Sequence, residues 1–109
     1  MERRHRIEKF EDVASFKERV KYYNETDIEC TSHTFFRLSE KQRKIFTCYK
    51  IAEFLLYKTP AKVGVQYNQN YAVFYDYKER RILKVVIRLM PNKINIVTFY
   101  ILDSRQLPR

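Results

Sequence analysis

Residues 82–102 read ILKVVIRLMPNKINIVTFYIL, the most apolar and most β-branched run of the chain. Two stretches of strand length flank Met90-Pro91-Asn92-Lys93, the pattern of an antiparallel hairpin. Side chains alternate across a strand, so Leu83, Val85, Ile87 and Leu89 share one face and Lys84, Val86 and Arg88 the other. The apolar face is expected to pack on helices. The second face carries two cations on a rigid surface, which suits either a ligand site or ordinary solvation. Register separates two arrangements, because a one-residue slip turns every side chain over. Pairing Leu89 with Ile94 sets Arg88 beside Asn95 and sends Thr98 to the apolar face. Pairing Met90 with Ile94, across a Pro91-Asn92-Lys93 loop, sets Lys84 opposite Tyr100 and Val86 opposite Thr98. A single site built from Lys84, Arg88, Thr98 and Tyr100 requires the second, and it is the register expected here.

Upstream of the hairpin the period is also two. Ala61–Gln66 is a first strand, with the only glycine, Gly64, at a candidate bulge. Asn68-Gln69-Asn70 is a turn, Tyr71–Tyr77 a second strand, and Lys78-Glu79-Arg80 another turn. Before Pro60 the pattern is helical. Phe10, Val13, Ala14 and Val20 form one stripe of a helix over 10–23, which Asn24-Glu25-Thr26-Asp27 ends. Ile28–Thr31 is a short strand or an extended lead-in. Ser32 can cap a helical turn through Leu38, and Ser39 with Gln42 can open the next. Ile45, Cys48, Tyr49, Ala52, Leu55 and Leu56 then predict a long helix to Lys58, stopped at Thr59-Pro60. The expected fold is α+β, with N-terminal helices packed on one face of a four-stranded antiparallel β-meander. It forms a single domain over 1–109: a basic arm 1–8, a helical part 10–58, a sheet 61–102 and a basic tail 103–109.

Charge sets the candidate partners. Twenty-two Lys and Arg against thirteen Asp and Glu give a net charge of +9 over 109 residues. Such an excess favours a polyanion, most often a nucleic acid, through phosphate neutralisation, and an acidic protein fits as well. The nine Tyr and eight Phe supply strand and core residues, and exposed Tyr beside a cation suits base stacking. No apolar run approaches a membrane span and MERRHRIEKFED has no signal-peptide core, so a soluble, cytoplasmic protein is expected. Cys30 and Cys48 have no metal-ligand spacing and are expected as buried, reduced thiols. No His/Cys/carboxylate cluster suggests a metal, and no cofactor is expected.

His33 and Arg37 lie four apart, one above the other on a helix. An imidazole moves protons near neutral pH and a guanidinium grips phosphate with two prongs. Thr31-Ser32-His33-Thr34, Arg37, a Pro-ended break and strands closing on Arg88 and Val97-Thr98-Phe99-Tyr100 follow in order. Over Ile28–Leu102 this resembles the small RelE-like members of the barnase–EndoU–colicin–RelE superfamily of metal-independent ribonucleases, those with a Thr-x-His-Ala-x-x-Arg opening and a Val-Thr-Val-Tyr-like last strand. The chain departs in Thr34 where those proteins prefer Ala, and in offering Lys41 and Arg43 instead of a second Arg and Gly after Arg37.

The resemblance implies cleavage of RNA by its own 2′-hydroxyl, without metal, in a toxin-like endoribonuclease, free or on the ribosome, with an acidic antitoxin as partner. It implies His33 for proton transfer, Arg37 and Arg88 for phosphate, and Thr98 and Tyr100 for positioning, Tyr100 alternatively stacking a base, and Lys84, on the strand face of Arg88, is assigned to phosphate beside them. A non-catalytic RNA- or DNA-binding domain, or a basic module holding an acidic protein, satisfies the same charge.

Overall fold

The computed structural model describes residues 6–30 and 46–108. Four inner strands form around the runs of period two: β3 (Lys62–Gln66), β4 (Tyr71–Tyr77), β5 (Arg81–Met90) and β6 (Lys93–Asp103). Two further strands, β1 (Ile7–Glu11) and β2 (Ile28–Cys30), flank them in the order β1-β3-β4-β5-β6-β2. All neighbours are antiparallel except β2, which runs parallel to β6 through Ile28–Ile94, Glu29–Asn95 and Cys30–Ile96. The four-stranded meander under N-terminal helices is therefore incorrect. The molecule is a six-stranded mixed sheet with two short helices among its described residues.

β1 comes from a region expected to be arm and helix, and β2 from the stretch expected as a short strand or extended lead-in. Ile7–Glu11 alternates poorly because an edge strand is held by backbone bonds to one neighbour and buries little of its surface. The helix after it, α1 (Val13–Val20), is shorter than the expected 10–23 span. Asp12 caps it, its Oδ2 accepting from the Ser15 backbone N–H at 3.0 Å. Phe16 and Val20, one turn apart, enter the core. The helix α2 (Cys48–Tyr57) begins after Thr47, whose Oγ1 accepts from the Lys50 N–H at 3.1 Å. Phe46 and the cap Thr47 are irregular backbone, so no continuous helix runs in from Ser39; the Ser32 and Ser39 caps lie outside the described residues. Ile51, Ala52 and Leu55 of α2 are buried, and Lys17 Nζ donates to Thr59 Oγ1 at 2.7 Å between the helices. None of the helices among the described residues is long and apolar enough to cross a membrane.

The core fills the space between the helices and one sheet face. Phe16, Val20, Phe46, Ile51 and Leu55 meet Val73, Leu83, Val85, Ile87, Ile94, Ile96 and Phe99. Burial of these side chains is the main stabilising term, at about 25 cal/mol per Å² of apolar surface. On the opposite face Ala72, Phe74 and Ile82 form a smaller cluster under Ile7, Leu102 and Leu107.

Two local expectations are corrected. Gly64 sits in regular β3–β4 pairing rather than at a bulge, opposite Ala72. A Cβ on it would lie 2.8 Å from Ile7 Cδ1, so glycine there lets β1 close on the sheet. Cys30 and Cys48 are joined in a disulfide, with Cα atoms 5.9 Å apart, and are not reduced thiols. Spacing of 18 along the chain gave no sign of the bond; it follows from β2 docking beside β6, which carries Cys30 to the start of α2.

Candidate functional site

The β5–β6 hairpin combines the two registers that parity had set against each other. Its turn is the two-residue Pro91-Asn92, with Met90 opposite Lys93, Leu89 opposite Ile94 and Arg88 opposite Asn95. The expected three-residue loop is absent. After Ile87–Ile96 the next pair is Val86–Thr98, so Val97 stands unpaired as a bulge. From there Val85 faces Phe99 and Lys84 faces Tyr100. One extra residue in β6 resets the phase, and Asn95, Thr98 and Tyr100 all come to the face that carries Arg88, Val86 and Lys84. Ile94, Ile96 and Phe99 keep the core face.

On that second face the side chains form rows across the strands. Lys62, Phe74, Lys84 and Tyr100 are successive partners, and so are Gly64, Ala72, Val86 and Thr98. The small residues of the second row leave a trough, a cleft of about 410 Å³ lined by Gln66, Asn68, Asn70, Lys84, Val86, Val97, Thr98, Tyr100 and Leu102. Neither Asp nor Glu is among these residues.

Lys84 sits in the cleft between two rings, its Nζ 5.7 Å from the Phe74 centroid and 5.8 Å from that of Tyr100. The electron-rich ring faces attract the ammonium. Burial works the other way and pulls its pKa below the ordinary lysine value, because the charged form loses water. The result is a half-buried cation held between two rings at the cleft wall. Arg88 is exposed on the same face, and its Nε donates to Asn70 Oδ1 at 3.2 Å.

The β3–β4 connection supplies the polar end. Gln66 N–H donates to the Asn70 carbonyl at 2.9 Å, Asn68 Oδ1 accepts from the Asn70 N–H at 3.0 Å, and Gln69 takes a left-handed φ of 71°. Gln66 and Asn70 are both buried. Asn95, across from Arg88, has a buried Oδ1 with no hydrogen-bond partner among the described residues.

Of the residues expected at a site, Lys84, Thr98 and Tyr100 line one cleft and Arg88 stands on the same sheet face. His33 and Arg37 lie outside the described residues, as do Lys41 and Arg43. Sequence reading missed Gln66, Asn68 and Asn70, taken only as strand end and turn. Four amides in the five residues Gln66–Asn70, at a predicted turn, were the available signal. Among the described residues, no cluster of His, Cys, Asp or Glu could hold a metal. No protein-family profile, curated protein or solved structure matches the chain.

Proposed function

We propose that this chain is a metal-independent endoribonuclease of toxin type that binds RNA in the cleft between β3, β4, β5 and β6. What supports the reading is the gathering of Lys84, Thr98 and Tyr100 in a trough with no carboxylate among its described lining residues, beside Arg88. A polyanion meets no repulsion there. The half-buried Lys84 ammonium takes a phosphate oxygen, Arg88 stabilises the charge that develops on it, Thr98 positions it, and Tyr100 positions the sugar or stacks a base. His33 moves the proton and Arg37 grips the neighbouring phosphate, as the resemblance implies. The RNA's own 2′-hydroxyl attacks its phosphorus and the 5′-oxygen leaves, so the product carries a 2′,3′-cyclic phosphate. The substrate is free or ribosome-held RNA in the cytoplasm, and an acidic antitoxin covers the basic face when cleavage is off.

The test is cleavage of a labelled RNA by the purified protein in excess chelator. Cyclic-phosphate products are expected, with loss of cutting at any position carrying a 2′-deoxy sugar. Asn, Gln, Lys and Thr bind without cutting, so a second reading is favoured by the cleft itself: a non-catalytic RNA-binding surface. His33→Ala separates the two. The first reading expects cleavage to vanish while binding stays, and wild-type protein that binds RNA without cutting it establishes the second. In both, affinity falls roughly ten- to a thousandfold between 50 and 200 mM salt. A flat salt response removes nucleic acid and leaves a protein-binding module.

A further inference from the structure

After β6 the chain turns back across the second sheet face. Asp103 Oδ1 accepts from the Arg105 backbone N–H at 2.9 Å, and the Ser104 N–H donates to the Arg80 carbonyl at 2.8 Å. A single 3-10 turn, Ser104–Gln106, follows. Leu107 then packs, with Ile7 and Leu102, on the cluster of Ala72, Phe74 and Ile82. The Pro108 carbonyl accepts from Lys62 Nζ at 2.7 Å. Leu107-Pro108 is thus a strap carried from β6 over β5 and β4 to β3. Leu102 also lines the cleft, so strap and cleft adjoin.

The strap lies on ground that separates two cations. Phe74 is the cross-strand partner of Lys62 on one side and of Lys84 on the other. Cross-strand partners share a face, so both lysines rise from the face that holds the cleft. Lys62 Nζ stands 4.6 Å from the centroid of the Phe10 ring, and that ring belongs to a residue 43% exposed. Phe10, Lys62, Phe74, Lys84 and Tyr100 therefore alternate ring and cation across β1, β3, β4, β5 and β6. No carboxylate pairs with Lys62 among the described residues, and the Pro108 oxygen it holds is neutral. An anionic oxygen holds an ammonium more strongly than a neutral one does, and an exposed ring beside it offers a face to a base.

We propose, resting on the reading that the cleft binds RNA, that the binding surface continues past the cleft to Lys62 and Phe10. The Leu107-Pro108 strap closes this extension, and RNA opens it by giving Lys62 a phosphate in place of the Pro108 carbonyl. The strap's own stability then subtracts from the affinity, since only the open form binds fully.

The test is binding of a short single-stranded RNA to the whole chain and its variants across a salt series. Leu107→Ala loosens the strap and leaves the cleft lining intact. It should bind about tenfold more tightly than the parent, the scale of a half-buried Leu released. Adding Lys62→Met to Leu107→Ala should weaken binding and reduce the slope of log affinity on log salt by about 0.7, one single-strand phosphate contact. Lys50→Met, exposed on α2 across the sheet, supplies the control for loss of charge alone. In the parent itself, the Leu107 methyl resonances should move to free-chain positions when RNA saturates the protein. Methyls that keep their folded positions overturn the proposal even where a variant fails to fold. Unchanged or weaker binding by a folded Leu107→Ala, or a Lys62→Met effect no larger than that of Lys50→Met, also overturns it and leaves the RNA reading standing. Failure of the parent and every variant to bind RNA overturns both.

Discussion

Lys84 and Tyr100 are cross-strand partners, the ammonium 5.8 Å from the ring centre, and they meet because β6 carries one residue more than β5 at Val97. Without that residue's bulge, the ladder that begins at Leu89–Ile94 would place Tyr100 on the core face. The cleft depends on a phase correction in the backbone as much as on the residues that line it.

Deleting Val97 therefore leaves the fold standing. Ile96 and Thr98 become neighbours in a regular ladder, still opposite Ile87 and Val86, and the faces of Thr98, Phe99 and Tyr100 are unchanged. Deleting Phe99 removes a core side chain and turns the rest of β6 over. Thermal unfolding should show a fall of about 5 °C or less for the first and about 12 °C or more for the second, the scale of a Phe lost from a core. Similar large losses from both deletions would contradict the bulge.

Lys84→Met should stabilise the protein at neutral pH and weaken RNA binding. Burial lowers the Lys84 pKa in the folded chain below its unfolded value, so the unfolded chain binds the proton more tightly. The unfavourable contribution is fully present below the folded pKa and fades as pH rises to the ordinary lysine value. The gain from Met should thus shrink on the alkaline side, in denaturant titrations at a series of pH values. A gain that is constant with pH would assign it to packing alone.

Reduction should be felt across the whole domain. The Cys30–Cys48 bond ties β2 to α2, and closing a loop of this size contributes about 3 kcal/mol in the chain-entropy account. Thiol titration of the denatured protein should find none before reductant and two after it, with a midpoint shift in urea to match. Two titratable thiols in freshly purified protein would refute the bond. Such bonds persist mostly in oxidising compartments, so the cytoplasmic reading proposed above requires that this one resist reduction there.

Tyr75→Phe should raise stability by about 1 kcal/mol. The Tyr75 hydroxyl is buried with no hydrogen-bond partner among the described residues, and burial pushes the phenol's pKa well above its usual range. Removing a buried group that makes no bond recovers its lost hydration. Lower stability in equilibrium denaturation would show that the hydroxyl is satisfied.

The inner strands were legible because period two is strong where one face of a sheet packs on the core and the other meets solvent. Leu83, Val85 and Ile87 against Lys84, Val86 and Arg88 separate the faces of β5 by residue type alone. The sheet as a whole was not legible. Val97 and Thr98 are both β-branched, and either serves in a regular strand, so the bulge between Ile96 and Thr98 has no chemical mark. β1 is exposed at Glu8, Lys9 and Phe10, and its pairing lies in backbone bonds that side-chain patterns do not record. Three residues of β2 are too few for a period. The disulfide was invisible for the same reason, since its contact is made by that strand's parallel docking. Of the site, the cation pair on β5 followed from parity, whereas the amides of Gln66, Asn68 and Asn70 gained meaning only when the turn folded back beside Arg88.

Both outer strands come from the first thirty residues, while the strands they join are made later: β1 waits for β3, and β2 waits for Ile94–Ile96 near the other end. On a ribosome adding roughly 5–20 residues per second, β2 spends several seconds without its neighbour. Vectorial synthesis thus delivers the borders of the sheet before its interior. Completion of the sheet is a late event, and a nascent chain stalled before β6 would carry β2 with no strand to receive it.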